Sequence, residues 1–166
     1  MVRYKILLFL QCVILLIPLN VYMWGNWLLV NVQWAFVRYQ QSPFGPSIIP
    51  GYKDIVYIVQ GQTTGIYNIL AASFWAIGSV LLLLALVLTL IAWVNERPGL
   101  TRTASIITLC SGALFCFSAL VRFIGGFSIP IGVPLILLIG WWMYRQKPEL
   151  KDDEDNSVDE ETTGDE

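Results

Sequence analysis

Residues 71 to 94, AASFWAIGSVLLLLALVLTLIAWV, are twenty-four consecutive positions without a charged side chain. A helix needs roughly 20 mainly apolar residues to cross the hydrocarbon of a bilayer. A chain of 166 residues has little interior in which to hide so long a run. With 56% of residues hydrophobic and only 13% charged, it also has too few polar side chains to cover a wet surface. The expectation is a membrane protein.

Three further segments can be read as spans. Residues 6 to 24 follow Arg3 and Lys5 like the apolar core of a signal peptide, but no small-x-small cleavage pair comes after them, so they read as an uncleaved helix kinked at Pro18. Residues 103 to 124 form the third span. The fourth, GFSIPIGVPLILLIGWWMY at 126 to 144, carries Pro130 and Pro134, so its lead-in is expected to be irregular, with regular helix only after Pro134. Residues 25 to 67 make an outer connection whose Trp27, Trp34, Tyr39, Tyr52 and Tyr57, interleaved with Pro43, Pro46 and Pro50, suit a membrane interface. Within it, IVYIV at 55 to 59 predicts a short strand, and residues 26 to 37 fit either a strand or an extension of the first helix. The fold class expected is an all-α bundle of four transmembrane helices under an outer interfacial loop.

Charge is sharply segregated. Residues 1 to 148 hold nine Lys/Arg against Asp54 and Glu96, a net of +7, whereas residues 149 to 166 hold ten Asp/Glu against Lys151, a net of −9. The tail has too little apolar surface to offset the entropy of ordering it, which predicts a disordered, solvated appendage. Four spans with the N-terminus inside place seven Lys/Arg on the inner side and only Arg38, Lys53 and Arg122 on the outer, which predicts a cell-membrane protein with both termini cytoplasmic.

Motifs that carry chemistry are scarce. There is no His, and Cys12, Cys110 and Cys116 all lie in apolar segments, so neither a metal site nor a cofactor is expected. Ser111, Ser118 and Ser128 have no base near them in the pattern, which argues against an enzyme. The dispersed basic residues make no nucleic-acid patch. Lys53 and Asp54 read as a solvated turn after Pro50-Gly51 in preference to a catalytic pair. Gln11, Asn20 and Arg122 are the strongly polar residues inside apolar segments, and Arg122 is expected to snorkel to the headgroups. The clearest pattern is a row of small side chains four apart, Ala104, Thr108, Gly112 and Cys116, read as a helix-packing face; Ala72, Ala76 and Val80 form a matching row on the second span.

The basic start, the GYKDIVYI segment before a long span, the GFSIPIGVPL lead-in, the WWMYR exit and the dense acidic tail together resemble small four-span membrane proteins of haloarchaea. The resemblance implies a cell-membrane location and transfers no functional residues. The layout is also similar to claudin-like proteins, but WGNW at 24 to 27 lacks the accompanying loop cysteines. The function expected is a non-enzymatic accessory or structural component of a membrane complex, with a small transporter or channel subunit as the alternative. Its partners would be the lipid bilayer and either a membrane protein or a second copy of the chain.

Overall fold

Pro18 ends the first helix where a kink was expected. The computed structural model describes residues 2–24, 29–63, 65–95 and 98–146, so the acidic tail of residues 149–166 lies outside the described residues. Helix α1 (Val2–Leu16) stops two residues before the proline. A proline has no amide hydrogen to donate and pushes the preceding residue out of the α region. The chain therefore leaves α1 extended, and β1 (Asn20–Trp24) begins inside the expected first span.

Strands β2 (Leu29–Gln33), β3 (Val37–Ser42) and β4 (Gly45–Pro50) follow, and β5 (Phe127–Ile129) comes back from the far end of the chain to pair with β1. All pairings are antiparallel, in the order β4-β3-β2-β1-β5. This overturns the all-α expectation: the described residues form five helices and a five-stranded sheet. The segment IVYIV is corrected as well, since α2 (Gly51–Val59) is a helix. Pro50 precedes it with φ −62° and ψ 141°, and Asp54 in its first turn complements the helix dipole.

Helices α3 (Ile66–Val94) and α4 (Pro98–Gly125) have 29 and 28 residues, or about 43 and 42 Å at the usual rise. Both are long and apolar enough to cross a membrane. Helix α1, with 15 residues, and α5 (Val133–Arg145), with 13, fall short of that length. Four spans were expected, and two helices meet the requirement because residues 20–24 and 127–129 are spent on strands. Pro134 lies in the first turn of α5, where its missing N–H breaks no helical bond.

The α3–α4 hairpin is held by a seam of small residues. Buried positions recur alternately four and three apart, at Ala71, Trp75, Gly78, Leu82, Ala85, Thr89 and Ala92 on α3 and at Ala104, Thr108, Ser111, Phe115, Ser118 and Arg122 on α4. That 3.5-residue period belongs to a left-handed coiled coil. Ser111 and Ser118 each donate across the seam, to the Gly78 and Ala71 carbonyls, both at 2.7 Å. Between these bonds the Phe115 ring packs on Trp75 with centroids 4.6 Å apart.

Side chains are distributed in the reverse of the soluble pattern. Only 33% of the most apolar stretch of α3 and 44% of that of α4 is buried. Leu83, Val87, Leu90 and Ile91 face outward, while Ser79, Ser105, Thr108, Ser111 and Ser118 face inward. The sheet is inverted in the same way. Directly paired residues share a face, so Val21, Val32, Tyr39 and Ile48 lie on one side, and Asn20, Tyr22, Asn31, Gln33, Arg38 and Gln40 on the other. Asn20, Tyr22, Asn31 and Gln33 are buried, so the polar side is the inner one.

Candidate functional site

The inner, polar face of the sheet closes over the start of α3 and the end of α4. The β2–β3 turn is pinned to α3 at the Ala35 carbonyl, which accepts from Trp75 Nε1 at 3.3 Å and from the Ser79 hydroxyl. Gly51 begins α2 by donating its amide to the Phe36 carbonyl at 2.6 Å, which swings α2 across the gap between sheet and helix. A cavity of about 210 Å³ remains beneath it, walled by Tyr22, Asn31 and Arg38 from the sheet, Asp54 and Tyr57 from α2, and Arg122 from α4.

Tyr22 connects the two arginines of this chamber. Arg38 donates through one Nη to the Tyr22 hydroxyl at 2.9 Å and pairs through the other with Asp54 Oδ1 at 3.0 Å. On the other side, the Arg122 guanidinium lies 4.1 Å from the centre of the Tyr22 ring, within the range of a cation–π contact. Arg122 is only 8% exposed. Neither its Nε nor that of Arg38 has a hydrogen-bond partner among the described residues. Two guanidinium groups against one carboxylate give the wall a formal charge of +1. Such an arrangement is suited to holding an anion through charge-assisted hydrogen bonds.

Asp54 is paired with Arg38 across the chamber, where the sequence suggested a solvated turn beside Lys53; the carboxylate is half-buried and Lys53 is exposed. Arg122 was expected to reach the headgroups and is instead packed under the sheet. Gln11 lies apart from the chamber, between α1, α4 and α5, donating to Thr108 Oγ1 at 3.3 Å with Met143 Sδ 3.7 Å away. Asn20 accepts from the Ser128 hydroxyl at 3.1 Å. Sequence reasoning gave Arg38 no role; the signal was the alternation of polar and apolar residues in NVYMW, LVNVQ and VRYQQ, which puts Tyr22, Asn31, Arg38 and Gln40 on one face once those segments are strands.

The row Ala104, Thr108, Gly112 and Cys116 meets different neighbours along its length. Four residues turn a helix by about 400°, so a strict i+4 row drifts about 40° per step. Ala104 and Thr108 lie in the buried seam, Gly112 has turned toward α5, and Cys116 is only half-buried. A Cβ on Gly112 would sit 2.8 Å from Leu137 Cδ2 and 3.1 Å from Ile136 Cγ2. Gly112→Leu should therefore lower stability by about 1 to 3 kcal/mol, with less effect from Leu114→Ala. Thermal unfolding in detergent checks this, and matching melting curves for Gly112→Leu and wild type would refute the close α4–α5 contact. The matching row on α3 faces elsewhere: Ala72, Ala76 and Val80 line an apolar groove of about 260 Å³ together with Phe36, Tyr52 and Ile55.

Comparison of the chain with protein-family models, with curated proteins and with solved structures finds no match. The chamber must therefore be interpreted from its own chemistry. Among the described residues no three potential metal ligands gather in one place.

Proposed function

We propose that this chain is a non-enzymatic accessory protein of a cell membrane, anchored through the α3–α4 hairpin, and that the polar chamber at its sheet end is a binding site. The placement of charge carries this reading. Arg38, Asp54 and Arg122 gather at one end of the molecule. Deeper in the bundle, the Thr108 and Ser111 hydroxyls already donate to helix carbonyls. Transport needs ionisable groups or a wet path through the hydrocarbon, and neither Gln11 nor Asn20 lines the chamber. A small transporter or channel subunit is the second reading, favoured by the unpartnered Gln11 Oε1.

The end where α3 turns into α4 carries Lys5, Arg102 and Arg145, since Arg102 donates to the Tyr144 hydroxyl at 3.1 Å and Gln11 meets Met143. Arg3, Arg97, Lys147 and Lys151 adjoin these in sequence. An excess of Lys/Arg marks the cytoplasmic side, so that end is read as cytoplasmic together with both termini, and the sheet as external. Helices α1 and α5, each shorter than a full span, then pass beside the hairpin, with the non-helical residues that join them to the sheet completing the crossing.

Single cysteines in a cysteine-free background test the orientation. One at Ser47 should react with a membrane-impermeant maleimide in intact cells, and one at Gly99 only after permeabilisation; the opposite pattern reverses the topology. In proteoliposomes, entrapped chloride or phosphate should escape no faster than from empty vesicles. Protein-dependent flux would move the function to transport.

A further inference from the structure

We infer that the chamber and the apolar groove beside it form one site for a phosphodiester-headed membrane lipid, with the phosphate at Arg122 and Arg38 and a chain in the groove. This rests on the membrane-embedded reading above. Arg122 lines the chamber, is more than nine-tenths buried, has no carboxylate partner among the described residues, and has its Nε buried without a hydrogen bond. A buried cation in that state is costly, and an anion received from outside the chain relieves the cost. Asp54 cannot supply the relief; its charge is already answered by Arg38 at 3.0 Å. The wall's net charge of +1 matches the single charge of a phosphodiester better than the double charge of a phosphomonoester or of inorganic phosphate.

The groove identifies the source of that phosphate. It is apolar, has a volume of about 260 Å³, and meets the chamber at Asp54 and Ala72, which belong to both walls. From Trp75 and Ala76 it leads to Val80, on the exposed apolar surface of α3. Helix α2 borders both cavities, and its Tyr52, Ile55 and Val59, at the spacing of one helical face, form an exposed apolar stripe that begins at the rim of the groove. An apolar stripe on a short helix is the mark of one lying in the headgroup boundary. A polar pocket with one excess positive charge, opening into an apolar channel at that depth, has the shape and polarity of a phospholipid.

Native mass spectrometry of the full chain in detergent, titrated with dioleoylphosphatidylglycerol, tests the site. Dioleoylglycerol, which lacks the phosphate, and glycerol phosphate and inorganic phosphate, which lack the chains, should each bind at least about tenfold more weakly. Arg122→Gln and Ala76→Trp, which remove the cation and fill the groove, should each weaken the phospholipid by a similar factor. Arg145→Gln, at the opposite end beside Trp141, should leave binding unchanged. If Arg122→Gln does not fold, Ala76→Trp and the chain-free ligands still decide. Equal binding of phospholipid and dioleoylglycerol, or an equal loss in Arg145→Gln, overturns the inference. Inorganic phosphate binding as tightly as the lipid overturns the lipid source and leaves a soluble-anion site. Cysteine labelling at Ser47 reports insertion separately, so a correctly inserted protein that ignores the lipid refutes this inference alone.

Discussion

Gly132→Val should unfold the joint between helices and sheet, seen as a large drop in Tm of the detergent-purified protein. Gly132 precedes α5 with φ −89°, so no special backbone conformation demands glycine there. The demand is for space: a Cβ would lie 2.7 Å from the Pro18 carbonyl oxygen and 3.0 Å from Leu19 Cα. These are backbone atoms, which cannot rotate away as a side chain can. The Gly132 amide also donates to the Leu19 carbonyl at 3.1 Å, so any shift that relieves the clash breaks the bond joining the start of α5 to the exit from α1. Overpacking typically costs about 1 to 3 kcal/mol, and the effect here should reach or pass the upper end. Gly99→Ala is the control, because among the described residues nothing outside its own stretch of helix lies within 4 Å of the added methyl group. Similar melting of the two variants would disprove the close approach.

Phe115→Ala should be of comparable severity. The ring is fully buried, packed at a tilt against Trp75 and seated on Gly78, where a Cβ would come within 3.0 Å of Phe115 Cε1. Loss of a buried phenylalanine typically costs about 3 to 5 kcal/mol through lost contacts and the cavity left behind. The same geometry predicts a change of sign. Gly78→Val should destabilise the wild type by striking the ring, yet stabilise Phe115→Ala by filling the void. A double-mutant cycle measures that coupling, and additive effects would contradict the ring-on-glycine contact.

The long apolar run was legible in the sequence because α3 is one uninterrupted helix whose exposed apolar side needs no partner to be recognised. Residues 20 to 24 were not. NVYMW continues the apolar character of α1, and only the cost of a proline inside a helix separates a kink from a termination; in lipid a kink is tolerable if neighbours satisfy the freed carbonyl. Pairing with Leu29–Gln33 and Phe127–Ile129 decides it for the strand, and the second of these partners lies more than a hundred residues away. The chamber was hidden for the same reason, since Tyr22, Arg38, Asp54 and Arg122 come from four different elements and no short motif contains two of them. The 3.5-residue seam of the hairpin was hidden because a row of small side chains four apart does not trace it, and Ser111, Phe115 and Ser118 stand outside that row.

The position of β5 imposes an order on synthesis. Ser128 bonds Asn20 across 108 residues of sequence. At bacterial or eukaryotic ribosome speeds of about 5 to 20 residues per second, β1 waits several seconds for that partner. Throughout the interval one margin of the sheet stands open beside the apolar residues Val21 and Met23, a template for pairing with any other nascent chain. Ribosomal stalling or proteolysis ahead of Phe127 would leave that margin open permanently. A chain that stops between Trp24 and Phe127 thus carries a bare sheet margin that β5 covers once it is made.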